Sequence, residues 1–130
     1  MHRIVALSLL LTLSFFSCTS SPKGKVLDAS AFQKLMNDTK DKVVLDVRTP
    51  GEFKEGYIKD ARNLDWNNSS FMSEAGKLDK SKPTFVYCLS GGRSHSAANA
   101  LRDMGFSDVY ELDGGIMQWR RAGLPLETAG

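Results

Sequence analysis

Tyr87-Cys88-Leu89-Ser90-Gly91-Gly92-Arg93-Ser94 places a cysteine in a tight glycine loop. The apolar run Thr84-Phe85-Val86-Tyr87 before it reads as a short buried strand. After it, Ala97, Ala98, Leu101 and Met104 recur at helical spacing. The cysteine therefore stands between the end of a strand and the start of a helix. Loop N–H groups can converge on its sulfur there, next to the positive end of the helix dipole. Gly91 and Gly92 let the backbone turn sharply because neither carries a Cβ. Arg93 adds a permanent cation. Each feature favours the thiolate, so Cys88 is expected to have a lowered pKa and to act as a nucleophile.

The chain has 130 residues, enough for one domain. Apolar residues make up 42% and charged residues 25%, which suits a soluble globular protein. The net charge of +2 is spread along the chain without a basic stripe, which excludes nucleic acid as a partner. No His, Cys, Asp and Glu cluster has metal-ligand spacing, and no cofactor is expected.

Residues 1–18 read as an export signal. His2 and Arg3 precede the apolar run Ile4 to Phe16, which is shorter than the roughly 20 residues of a spanning helix. The end, Leu13-Ser14-Phe15-Phe16-Ser17-Cys18, resembles a bacterial lipobox. Ser17 is the small residue expected before the acylated cysteine, and Phe15 stands where Leu is usual. The resemblance implies lipid on Cys18 and an exported protein held at a membrane. The alternative is an ordinary signal cleaved nearby. Residues 19–25, with Pro22, read as a tether, and 26–130 as the domain. If Cys18 carries lipid, Cys88 is the sole remaining thiol.

Within the domain, Val26-Leu27 begins a first strand, and Asp28 or Ser30 caps a helix running to about Asn37. Val43 to Val47 is an apolar run with one acid, suited to a parallel strand covered on both faces. Thr49-Pro50 starts a short helix that Gly56 stops. Tyr57-Ile58 and Ala61 to Leu64 suggest another strand, and Phe71 to Leu78 a short helix. The helix after the cysteine loop ends near Met104 at Gly105. Phe106 to Leu112 forms a last strand, and Asp113-Gly114-Gly115 turns into a helix over Ile116 to Ala122. Alternating strands and helices imply a parallel α/β sheet with its site at the carboxyl ends of the strands.

Three ordered segments now resemble a single rhodanese domain. They are Leu45-Asp46-Val47-Arg48-Thr49-Pro50-Gly51-Glu52-Phe53 with Gly56-Tyr57-Ile58, then Cys88 to Ser94, then Leu112 to Ile116 with Trp119 and Ala122 to Pro125. The resemblance covers nearly all of residues 25 to 127. It implies a five-stranded parallel sheet with helices on both faces, and a sulfurtransferase whose Cys88 accepts sulfane sulfur as a persulfide. The partners implied are a small sulfur donor, such as thiosulfate or polysulfide, and a thiol or cyanide-like acceptor. Leu89, Ser90, Gly91, Gly92, Arg93 and Ser94 would bind the substrate. Tyr57 stands where the family usually has His, which implies a difference in packing. Members that use thiosulfate often have a basic residue in the loop, and here Arg93 is the one available.

Other roles stay open. Arg93 either steers an anionic donor or braces the loop through its carbonyls. Asp46 either anchors the loop or is a strand-end acid paired with a neighbouring arginine, and the second is favoured. Arg48 and Glu52 are spaced to pair across a helical turn. His95 reads as a solvated helix-start histidine rather than an acid or base. Trp66 and Trp119 read as core or rim aromatics. A phosphatase or arsenate reductase uses a similar thiolate loop, but four residues separate Cys88 from Arg93, one fewer than in the phosphatase signature. A non-catalytic binding module of the same fold is the third reading, disfavoured by the intact cysteine and glycines.

Overall fold

The computed structural model describes residues 25–128. The signal, Cys18 and all of the tether but Lys25 lie outside them. Five strands alternate with five helices: β1 (Val26–Leu27), α1 (Ala29–Asp38), β2 (Val43–Asp46), α2 (Pro50–Lys54), β3 (Arg62–Asn63), α3 (Phe71–Ala75), β4 (Thr84–Tyr87), α4 (Gly92–Asp103), β5 (Val109–Leu112) and α5 (Gly115–Arg121). The strands form one sheet in the order β1-β5-β4-β2-β3, and every pairing is parallel. The central pair is in register from Val43 opposite Thr84 to Asp46 opposite Tyr87.

Alternation along the central strands sends side chains to two cores. Leu45, Val47, Val86, Cys88 and Val109 face Ala97, Ala98 and Leu101 of α4, with Phe71 and Ala75 of α3. Val44, Phe85, Tyr87 and Leu112 face Ala29, Phe32 and Met36 of α1, with Ile116 and Trp119 of α5. Phe32 meets Phe85 and Trp119 edge-on, at centroid distances of 5.4 and 6.4 Å. The helices thus cover both faces, and the covered strands need no polar alternation.

Local chemistry sets the element ends. Asp28 caps α1 by accepting from Ala31 N at 2.8 Å. Thr49 and Glu52 form a capping box around Pro50 at the start of α2. Three expectations are corrected. The last strand begins at Val109, because Phe106 N turns back to donate to Leu101 O and its ring is buried against α4. The helix from Phe71 stops at Ala75, with Gly76 as its C-cap. Tyr57 is not in the parallel sheet. It makes a lone antiparallel bridge with Glu127 and stacks on Phe53 at 4.3 Å, so its difference is one of packing.

Candidate active site

β4 and β2 end side by side, and each runs into a turn and a helix. At the end of β4, Cys88 is 1% exposed, so its sulfur sits within the fold. The loop brings polar hydrogens to it. Gly91 N–H donates to Sγ at 3.1 Å, and the Ser94 hydroxyl lies 3.3 Å away. In the neutral form the thiol donates to Ser94 Oγ, while the Ser94 hydroxyl donates to Gly91 O at 3.1 Å. Once ionised the sulfur can only accept, and the hydroxyl rotor can turn to supply the hydrogen. Burial pushes the Cys88 thiol up. The Ser94 hydroxyl and the N–H groups of Ser94, Gly91 and Ser90 outweigh that, so its pKa lies below the ordinary thiol value.

Gly91 is the N-cap of the 12-residue α4, with φ +112°, a conformation that a side chain would strain. The sulfur is therefore at the positive end of a long helix. The loop carbonyls are held off by a second helix. Ile116 N donates to Cys88 O at 2.8 Å and Met117 N to Leu89 O at 3.1 Å. This requires α5 to come very close. A Cβ on Gly115, at φ +64°, would lie 2.4 Å from Leu89 O and 2.6 Å from Cys88 O. With its carbonyls turned towards α5, the loop keeps its N–H groups for the sulfur. Leu89 is half-buried, while Ser90 and Gly92 are exposed. A cleft of about 250 Å³ borders Ser90 and Gly91, lined also by His95, Glu111, Asp113 and Gly114.

Arg93 does not brace the loop through its carbonyls. It makes a two-pronged ion pair with Glu52 of α2, Nη1 to Oε1 at 2.8 Å and Nη2 to Oε2 at 3.0 Å. The Arg93 guanidinium, with burial opposing and Thr49 assisting, holds the Glu52 carboxyl down at about 2. The expected Arg48–Glu52 pair is not formed. Arg48 precedes the N-cap of α2, so its side chain is free to fold back beneath the strand end. There it grips Asp46, with Nε 2.9 Å from Oδ1 and Nη2 2.6 Å from Oδ2, and Nη2 also donates to Gly56 O at 2.7 Å. Both side chains are almost wholly buried. Asp46 is thus the strand-end acid paired with its neighbouring arginine, and neither makes a hydrogen bond to the cysteine loop.

Three further contacts escaped sequence reasoning. Asn63 Nδ2 donates to Asp46 O and Arg48 O, at 3.1 and 2.8 Å, tying β3 to the turn after β2. Glu111, buried on β5, accepts from Arg102 at 2.9 Å and lies 2.8 Å from Nδ1 of the exposed His95. Gly115 is the third, and its only signal in the sequence was the glycine pair. Trp119 is buried in the core and Trp66 packs edge-on against Phe71, 4.9 Å between centroids. Among the described residues, no group of three or more His, Cys, Asp or Glu side chains could hold a metal ion.

A buried cysteine sulfur that accepts from a glycine-loop N–H stands at the end of a strand in a five-stranded parallel sheet, the fold that the sequence resemblance implied. The family model described as Rhodanese-like domain matches residues 28–122. This chain belongs to the rhodanese family. A Pseudomonas putida protein named thiosulfate sulfurtransferase GlpE is 47% identical over 87 residues, which are 67% of this chain and 76% of that one. A protein named sulfurtransferase from Allochromatium vinosum is 37% identical over 101 residues, covering 77% of this rhodanese and 92% of its relative. The crystal structure of a rhodanese-related protein from Thermoplasma volcanium superposes with a TM-score of 0.70 at 27% identity, over 79% of this chain and 97% of that one.

Proposed function

We propose that this rhodanese, an enzyme of the sulfurtransferase class, carries sulfane sulfur as a persulfide on Cys88. The observation that carries the reading is the sulfur itself, buried, with Gly91 N–H at 3.1 Å and Ser94 Oγ at 3.3 Å. The Cys88 thiolate attacks the outer sulfur of a donor such as thiosulfate or polysulfide. A new S–S bond of about 2 Å forms, the donor's S–S bond breaks, and the leaving group departs with its electron pair. The product is Cys88–S–S⁻. Its outer sulfur extends into the loop, where the N–H groups from Leu89 to Ser94 and the α4 N-terminus favour its charge. A thiolate or cyanide then attacks the outer sulfur and releases the Cys88 thiolate for another cycle.

Burial of Cys88 supports this over phosphoryl or arsenate chemistry. A donor that presents one terminal sulfur can reach a sunken thiolate, whereas a tetrahedral oxyanion needs several donors at about 3 Å around it. Arg93, the loop's one cation, is already committed to Glu52. The decisive experiment is the intact mass of the protein after incubation with polysulfide or thiosulfate. One added sulfur atom, removed by cyanide as thiocyanate, is expected, with negligible hydrolysis of an aryl phosphate. A protein that gains no sulfur, or that prefers the phosphate, refutes the reading.

The proposal extends to location. The apolar run ending at Ser17-Cys18 supports export and a lipid on Cys18 that holds the enzyme at a membrane, facing the periplasm or the cell exterior. One acyl chain anchors only marginally, so more than one is expected. Cys18→Ala should release the enzyme or leave its signal uncleaved. Wild-type protein found soluble, with an unmodified N-terminus elsewhere, refutes it.

A further inference from the structure

We propose that Glu52 sets the charge of the donor: by holding both terminal nitrogens of Arg93 it withdraws the loop's one cation, and so selects organic persulfides over dianionic thiosulfate. This rests on the sulfurtransferase reading above and names a specificity residue for it. The loop from Cys88 to Ser94 contains one basic residue. Both prongs of that residue meet the Glu52 carboxylate, at 2.8 and 3.0 Å.

Glu52 is itself held from behind. Its Oε1 accepts from Thr49 N at 3.3 Å and from Thr49 Oγ1 at 3.2 Å, within the capping box of α2. The carboxylate cannot swing away without undoing that cap. Glu52 also stays ionised wherever Cys88 can be a thiolate, since its pKa is held down at about 2. The loop's one cation is therefore held by Glu52. A dianion entering this space gains Arg93 only by stripping it from Glu52, and the carboxylate left behind repels it.

An organic persulfide avoids that conflict. The Cys88 thiolate attacks the terminal sulfur of R–S–SH, and Cys88–S–SH forms. The donor's S–S bond breaks, its electron pair leaves as R–S⁻, and the transferred sulfur then gives its proton to that thiolate or to water, leaving Cys88–S–S⁻. No dianion enters and none departs. Thiosulfate delivers the same sulfur but brings two charges in and sends sulfite out.

The test compares sulfur loading from thiosulfate and from cysteine persulfide in the wild type, Glu52→Gln, Arg93→Gln and the double variant. Glutamine keeps the capping box, because its carbonyl oxygen still accepts from Thr49. The wild type should show the higher kcat/KM with the persulfide. In Glu52→Gln the thiosulfate-to-persulfide ratio of kcat/KM should rise about tenfold, through KM, and the gain should fade as salt screens it. Arg93→Gln alone leaves the Glu52 carboxylate without its partner and should lower that ratio, and in the double variant the ratio should return to the wild-type value. A ratio unmoved in Glu52→Gln, or a gain that persists in the double variant, overturns the inference while leaving sulfur transfer intact. A protein that loads from neither donor overturns the sulfurtransferase reading and this inference with it.

Discussion

The turns after β2 and β4 start from the same position, at the carboxyl ends of two parallel strands paired in register. They use it in opposite ways. After β2, polar groups close on one another: Asp46 takes Arg48 N and its guanidinium, Asn63 takes the carbonyls of Asp46 and Arg48, and Thr49 and Glu52 cap the helix. After β4, the loop has small or apolar side chains in Leu89, Ser90, Gly91 and Gly92, and its carbonyls at Cys88 and Leu89 are taken by α5. Its N–H groups are left to the sulfur. A site forms where the chain leaves donors uncommitted, and the neighbouring turn provides the rigid wall.

The first way to break the comparison is to remove the sulfur. Cys88→Ser should lower sulfur transfer by at least about 10³-fold, because the covalent step is lost while the loop remains. Its thermal midpoint should stay close to that of the wild type. Activity near the wild-type level would mean that the β4 turn is not the site.

The second is to open the closed turn. Arg48→Ala leaves the Asp46 carboxylate buried without its partner and frees Gly56 O. A loss of about 3–5 kcal/mol is expected in denaturant unfolding, as for other broken buried pairs. Arg48→Ala molecules that remain folded should still take one sulfur atom on Cys88, since Arg48 makes no hydrogen bond to that loop. A small stability loss with a dead site would reverse the assignment of the two turns.

Much of this contrast was legible in the sequence because it is local. The strand-end cysteine, Gly91 and Gly92, Asp28 and Thr49-Pro50 act within six residues of themselves, and the structure places them as their chemistry implies. The apolar runs read correctly as covered strands, since their alternation feeds two cores. What failed was long-range or misread in phase. Arg48 and Glu52 have helical spacing, but Arg48 lies before the helix, so the spacing carries no shared face. The Glu52–Arg93 pair spans 41 residues and has no local signal. Gly114-Gly115 announces a tight turn, but that it abuts Cys88 O and Leu89 O follows only from β5 lying beside β4.

A smaller effect should come from the hydroxyl at the sulfur. Ser94→Ala removes the side-chain hydrogen that favours the Cys88 thiolate, while Gly91 N–H remains. The thiol pKa should move up. The rate of sulfur loading should then rise at higher pH than in the wild type, with roughly a tenfold loss at neutral pH, the order of one hydrogen bond to a charged group. Rates measured across pH distinguish this from a general loss. A profile lowered equally at every pH would mean that Ser94 only packs.

The smallest effect concerns the link between the two turns. Glu52 has its carboxyl pKa lowered from about 4.5 to about 2 by Arg93, assisted by Thr49 and opposed by burial. A carboxyl depressed by folding stabilises the native state above its unfolded pKa. That contribution is lost as the pH falls from about 4.5 towards about 2, because the unfolded chain takes up the proton first. Both side chains remain about a quarter exposed, 25% for Arg93 and 28% for Glu52. Solvent therefore screens the pair, and its contribution at neutral pH should be below about 1 kcal/mol. Glu52→Gln should lose that amount at pH 7 in urea unfolding, and the difference from the wild type should close as the solution is acidified through this window. A gap that stays constant from pH 7 to the acid limit would assign the loss to side-chain packing and not to the ion pair. The two turns would then be joined by packing alone.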